Sequence, residues 1–120
     1  MRDPVAGPGS AAERFIRLLD WRWTLAVLAQ LADGGRRYQD LDDALGGVSH
    51  KVLTDTLRRA ERDGLVVRLV DPGRVETSTL YQLTDLGRSL DEPLAALERW
   101  VACNWSEVQA ARQRWSRRSD

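Results

Sequence analysis

Between Tyr38 and Leu83 the sequence strings together a short helical segment, a Gly-Gly turn, a helix with one polar face and a two-stranded hairpin. That order constrains the fold more than any single residue does. Leu41 and Leu45 stand at i,i+4 spacing on the segment from about Tyr38 to Leu45, and Gly46-Gly47 breaks it. Ser49 reads as the next N-cap, with Val48 placed to staple onto Leu53. The helix it opens runs to about Asp63, where Gly64 stops it. Its apolar side is Leu53, Leu57 and Ala60. Its polar side is His50, Lys51, Thr54, Asp55, Arg58, Arg59 and Arg62. Leu65 to Val70 is short and β-branched, Asp71-Pro72-Gly73-Arg74 is a turn, and Thr77 to Leu83 reads as the returning strand.

Helical patterns flank this block on both sides. Residues 1–9 hold two Pro and two Gly without periodicity and read as an arm, residues 10–115 as one domain and 116–120 as a basic tail. Ser10-Ala11-Ala12-Glu13 is a capping box, so a helix is predicted from there through Phe15, Ile16 and Leu19. Trp21 to Asp33 has so few polar positions that it is predicted as the central buried helix. Thr84 is predicted to cap a last helix with the stripe Leu86, Leu90, Leu94, Leu97, Val101, Trp105, Val108 and Trp115, and Pro93 should kink or break it. A stripe that extends beyond the domain body suggests a partner helix from a second copy of the chain.

The implied fold class is mostly α with a small β-hairpin wing, a winged helix-turn-helix. In such a unit the second helix enters the major groove of double-stranded DNA and its N-terminal residues meet base edges. His50, Lys51 and Thr54 are the candidates for base-edge contact. Ser49, Arg37, Arg58 and Arg74 are the candidates for phosphate or minor-groove contact. From Ser49 to Arg74 the basic residues outnumber the acidic ones, so the face is mildly basic. A charged helix face is also what plain solvation produces, and spacing alone leaves both readings open.

Composition removes other classes. Lys plus Arg and Asp plus Glu are both 18, which excludes global charge attraction to nucleic acid and leaves only a local basic face. One Cys and one His cannot build a zinc site or an internal disulfide framework. The longest apolar run is the five residues Leu25 to Ala29, too short to span a membrane. No secretory apolar segment follows Met1, so the expected compartment is the cytoplasm. There is no phosphate-binding glycine loop and no nucleophile–base pair, so neither a cofactor nor an enzymatic activity is expected.

The pieces in order resemble a known family. Arg22-Trp23-Thr24-Leu25, Arg37-Tyr38-Gln39-Asp40-Leu41 and Val48-Ser49-His50-Lys51-Val52-Leu53-Thr54 are similar to the K-W-T-L, R-F-S-E-L and I-S-Q-K-V-L-T runs of HxlR-type winged-helix transcriptional regulators. Leu57-Arg58, Asp63 to Val66, Tyr81 to Gly87 and Leu94 to Trp100 continue the match, which covers about residues 10–101. The resemblance implies a homodimeric bacterial DNA-binding regulator with the first and last helices at the dimer interface. Members often carry a redox-sensing cysteine before the first helix. Here Ser10 stands in that setting and forms no thiolate. Asp55 replaces a common Gln, and a carboxylate suits a phosphate surface only if it pairs with Arg58 or Arg59 or accepts from cytosine.

Trp21, Trp100 and Trp105 form a candidate pocket for a small aromatic or hydrophobic effector. The competing reading of these residues is dimer packing. Cys103 reads as a small buried apolar residue of the last helix. The alternative to DNA binding is a winged helix used as a protein-interaction module, for which Asp40, Asp42, Asp43 and Asp55 provide a carboxylate face.

Overall fold

The computed structural model describes residues 9–19, 23–70 and 79–119. The chain divides into two compact units, residues 1–88 and residues 89–120.

The first unit runs α1 (Ala11–Leu18), α2 (Thr24–Leu31), β1 (Arg36–Arg37), α3 (Tyr38–Ala44), α4 (His50–Arg62), β2 (Val66–Leu69), β3 (Leu80–Leu83) and α5 (Asp85–Arg88). The strands form an antiparallel sheet in the order β1-β3-β2. In the hairpin Val66 lies opposite Leu83 and Leu69 opposite Leu80. This is the expected winged helix-turn-helix, with one addition. The pair Arg36-Arg37 forms a third strand on β3, with Arg36 opposite Tyr81 and Arg37 opposite Leu80. Two arginines carry no strand periodicity, so only the tertiary pairing makes them a strand.

Ser10 caps α1 as predicted, its Oγ accepting from the Glu13 N–H at 3.2 Å. The Glu13 carboxylate reaches one residue past the expected cap amide and accepts from the Gly9 N–H. No residue of α1 is fully buried, and Ile16 is exposed. In α2 the buried face is Thr24, Val27, Leu28 and Leu31. Leu25 is exposed, so the helix is buried on one side and not all round as its composition suggested. Trp21 and Arg22 lie outside the described residues.

The core of this unit is Val27, Leu28 and Leu31 of α2, Leu41 and Leu45 around α3, Leu53, Leu57 and Ala60 of α4, and Leu65, Val66 and Leu83 at the base of the hairpin. The buried Thr56 hydroxyl donates to the Val52 carbonyl at 2.7 Å, so it costs no unsatisfied group. Gly64 follows α4 at φ +76°, the left-handed conformation that closes a helix without strain in glycine.

Thr84 ties the hairpin shut. Its N–H donates to the Leu65 carbonyl at 3.0 Å, and its Oγ1 donates to the Gly64 carbonyl at 2.5 Å. The same oxygen accepts from the Gly87 N–H at 3.0 Å, which caps α5. A Cβ added at Gly87 would collide with the Leu65 carbonyl, so only glycine fits there.

The second unit is dominated by one helix, α6 (Asp91–Ser119). The single long helix expected after Thr84 is therefore two helices, broken at residues 89–90. Pro93 lies in the first turn of α6, where its missing N–H has no intrahelical acceptor to lose, and so it neither kinks nor ends the helix. Arg117 and Arg118, expected in a basic tail after the domain, occupy the last turn of α6, where cations favour the negative helix end. Cys103 is exposed, not buried. Leu97, Trp100, Val101 and Trp105 are 40–56% exposed, an apolar stripe with no second element in its own unit to cover it.

Candidate nucleic-acid interface

The helix-turn-helix is α3, the turn over residues 45–49 and α4. Leu45 and Leu41 bury the first helix, Leu53 and Leu57 bury the second, and the opposite side of α4 faces solvent. Ser49 Oγ accepts from the Val52 N–H at 3.1 Å, fixing the start of α4. Ser49→Ala should remove that cap and cost about 1 kcal/mol. Thermal unfolding should show a midpoint lowered by roughly 4–8 °C. An unchanged midpoint would mean that α4 does not rely on this cap.

His50, Lys51 and Arg58 are exposed and Thr54 is half-buried, so the polar face forms one surface along about two turns of α4. Lys51, Asp55, Arg58 and Arg62 recur at helical spacing along it. Arg62 is held by its neighbour, with Nε to Asp63 Oδ1 at 3.0 Å, and the Asp63 carboxylate raises its already high pKa. Arg68 stands 3.9 Å from Glu61. Arg58 makes no ion pair among the described residues and is exposed, available to an anion.

Arg37 sits at the junction of β1 and α3, half-buried, with its backbone N–H donating to Asp40 Oδ2 at 3.2 Å. Asp40 thus caps its own helix. Asp43 accepts from the Gln39 amide at 3.0 Å. Two of the four carboxylates that suggested an acidic docking face are engaged within α3.

One residue at this surface was not among the sequence candidates. The Tyr38 hydroxyl lies 2.6 Å from His50 Nδ1, 3.3 Å from the His50 carbonyl and 3.5 Å from Thr54 Oγ1. The two rings meet at 5.1 Å between centroids and tilt by 59°. Tyr38 therefore joins the first residue of α3 to the first turn of α4. The only sequence signal was the hydroxyl itself, at a position where the resembled pattern has phenylalanine. Tyr81, on β3, is half-buried, and burial pushes its hydroxyl up from its ordinary value.

The remaining candidates are placed as follows. Arg74 lies outside the described residues, as does Trp21. Trp100 and Trp105 stand five residues apart, about 140° around α6. They flank the apolar stripe from opposite sides and do not form a shared wall. Arg112 stacks over the Trp105 ring at 5.1 Å. In the first unit a small hollow open to solvent lies beside Arg17, Leu18, Thr24, Arg59 and Asp63, with no tryptophan among the described residues that line it. No group of three His, Cys, Asp or Glu suited to a metal ion occurs among the described residues, and none of their helices is long and apolar enough to cross a membrane.

Known proteins place this geometry in a family. The HxlR-like helix-turn-helix family matches residues 18–109. The HTH-type transcriptional regulator YtfH of Escherichia coli is 40% identical over 91 residues, 76% of this chain and 71% of that protein. The solved structure of the transcriptional regulator YtfH from Salmonella typhimurium superposes with a TM-score of 0.71 at 31% identity, over 93% of this chain and 99% of that one. Quinone-bound YodB from Bacillus subtilis superposes with a TM-score of 0.66 at 26% identity, over 75% of this chain and 93% of that one. With a family match over most of its length and a relative this similar, the chain belongs to the HxlR-like helix-turn-helix family of transcriptional regulators.

Proposed function

We propose that this protein binds a specific inverted-repeat operator as a homodimer and regulates transcription from it. The observation that carries this reading is the N-terminal end of α4. Ser49 caps it, Leu53 and Leu57 seat it on the core, and His50, Lys51 and Arg58 stand exposed along its outer face. Two such helices in a dimer reach successive major grooves about one DNA turn apart. His50, Lys51 and Thr54 are assigned to base edges, and Ser49, Arg37, Arg58 and Arg74 to the DNA backbone or minor groove. The apolar stripe of α6 and the exposed Ile16 of α1 are the surfaces for the second copy. A small hydrophobic or aromatic effector is proposed to tune the complex. The quinone in the YodB structure supports this reading.

Fluorescence anisotropy against the DNA upstream of its own gene, beside a scrambled duplex and at several salt concentrations, tests the reading. Preference for the upstream duplex supports it; equal weak binding to both overturns it. Within that assay Lys51→Ala should weaken binding. If Lys51 meets a phosphate, the loss is uniform across sequences and the salt slope falls by about 1. If it meets a base, the loss depends on sequence. Unchanged affinity for both duplexes would remove Lys51 from the interface.

A further inference from the structure

The Tyr38–His50 contact carries more than the joining of two helices. Tyr38 has one hydroxyl proton and three oxygen or nitrogen neighbours at the start of α4. The nearest, His50 Nδ1 at 2.6 Å, is inside the usual range for an O–H donor and shorter than the usual range for an N–H donor. The His50 carbonyl is more distant at 3.3 Å and also belongs to the backbone ladder of α4. A phenol that gives its proton to Nδ1 makes that nitrogen the acceptor. A neutral imidazole carries its one proton on the other nitrogen when Nδ1 accepts. That other nitrogen, Nε2, is the one Tyr38 does not meet, on an exposed side chain at the N-terminal end of α4.

We propose that Tyr38 is a positioning residue that holds His50 in the Nε2–H form, and that this donor reads guanine in the major groove. The inference rests on α4 being the groove-entering helix, as proposed above. The chemistry of the base edges selects guanine. It presents two adjacent acceptors, N7 and O6. Adenine sets an amino donor beside its N7, thymine sets a methyl group beside its O4, and cytosine offers only a donor. With the proton on Nδ1 instead, Nε2 would be an acceptor, and the same side chain would favour the amino groups of cytosine or adenine. Tyr38 thus sets which bases His50 accepts without reaching the DNA. The tilted ring contact also restricts rotation of the imidazole.

Two measurements on the full chain test this. His50 is the only histidine, so a long-range proton–nitrogen spectrum of the imidazole reports one residue without assignment. The neutral wild-type ring should show the proton on Nε2, and Tyr38→Phe should show a mixture of both forms. A proton on Nδ1 in the wild type, or identical spectra in the two proteins, overturns the positioning step. In parallel, wild type, Tyr38→Phe and His50→Ala are each used to select from a library of randomised duplexes. The wild type should enrich guanine at one base pair of each half-site. Tyr38→Phe should lose roughly fivefold or more of that discrimination at that pair and keep the rest of the motif. His50→Ala should lose the guanine preference there altogether. Equal enrichment by wild type and Tyr38→Phe overturns the proposal. So does a uniform loss across all sequences in His50→Ala, which would place Nε2 on a phosphate. If the wild type enriches no sequence, the DNA-binding reading fails and the guanine assignment falls with it. The spectrum judges the Tyr38–His50 coupling independently of that outcome.

Discussion

Leu53→Ala should destabilise the first unit by about 2–5 kcal/mol. Leu53 is completely buried one turn beyond the Ser49 cap, on the side of α4 that packs against α2 and β2. Truncation to alanine removes its apolar transfer energy and leaves a cavity that the closely packed neighbours fill only in part. A domain of this size holds about 5–15 kcal/mol in total, so the loss is a large share of what keeps it folded. Urea unfolding should show a lowered midpoint with an unchanged slope. DNA affinity should fall with the folded fraction, because the residues assigned to the groove are carried on the helix that Leu53 anchors. A destabilisation below about 1 kcal/mol would contradict the core described here, since even modest core truncations usually exceed that.

Replacing both Trp100 and Trp105 by glutamate should leave a folded monomer with little affinity for an inverted repeat. Both indoles are exposed on α6 and flank an apolar stripe that their own unit leaves uncovered. A helix of 29 residues spans about 43 Å, long enough to bury a continuous face on a second copy. Two charges on that face would have to be desolvated on association, with Arg112 beside only one of them. Loss of the proposed dimer would convert a bivalent grip on DNA into two separate weak ones, so operator affinity should drop by about 10²–10⁴-fold. Binding to an isolated half-site should change little. Sedimentation velocity and anisotropy read the two effects separately. A double variant that remains dimeric and binds fully would move the interface off this stripe.

Much of this architecture is written in local signals. Ser10, Ser49 and Gly64 mark helix ends by chemistry that acts within four residues, and each stands where its signal places it. The β-branched run at Val66 and its return at Leu83 declare the hairpin in the same local way. What escaped depends on partners distant in the chain. Arg36 and Arg37 become a strand only because β3 lies alongside, more than 40 residues later. Leu25 is apolar yet exposed, since pattern shows which residues can be buried but not which neighbours arrive. The break before Pro93 was misplaced because proline is disfavoured inside a helix and tolerated in its first turn. At the candidate interface the exposed residues of α4 were legible from periodicity. Tyr38 was not, because its bonds cross 12 and 16 residues and depend on how α3 meets α4.

The closure made by Thr84 has a consequence for how such a protein diversifies. Its bonds to the carbonyls of Gly64 and Leu65 fasten the two ends of the hairpin together at its root. Both acceptors are backbone carbonyls, so the seal asks for no particular side chain at residues 64 and 65 and rests, among side chains, on the hydroxyl at position 84 alone. Side chains elsewhere around the root can drift while that one hydroxyl keeps the two ends together.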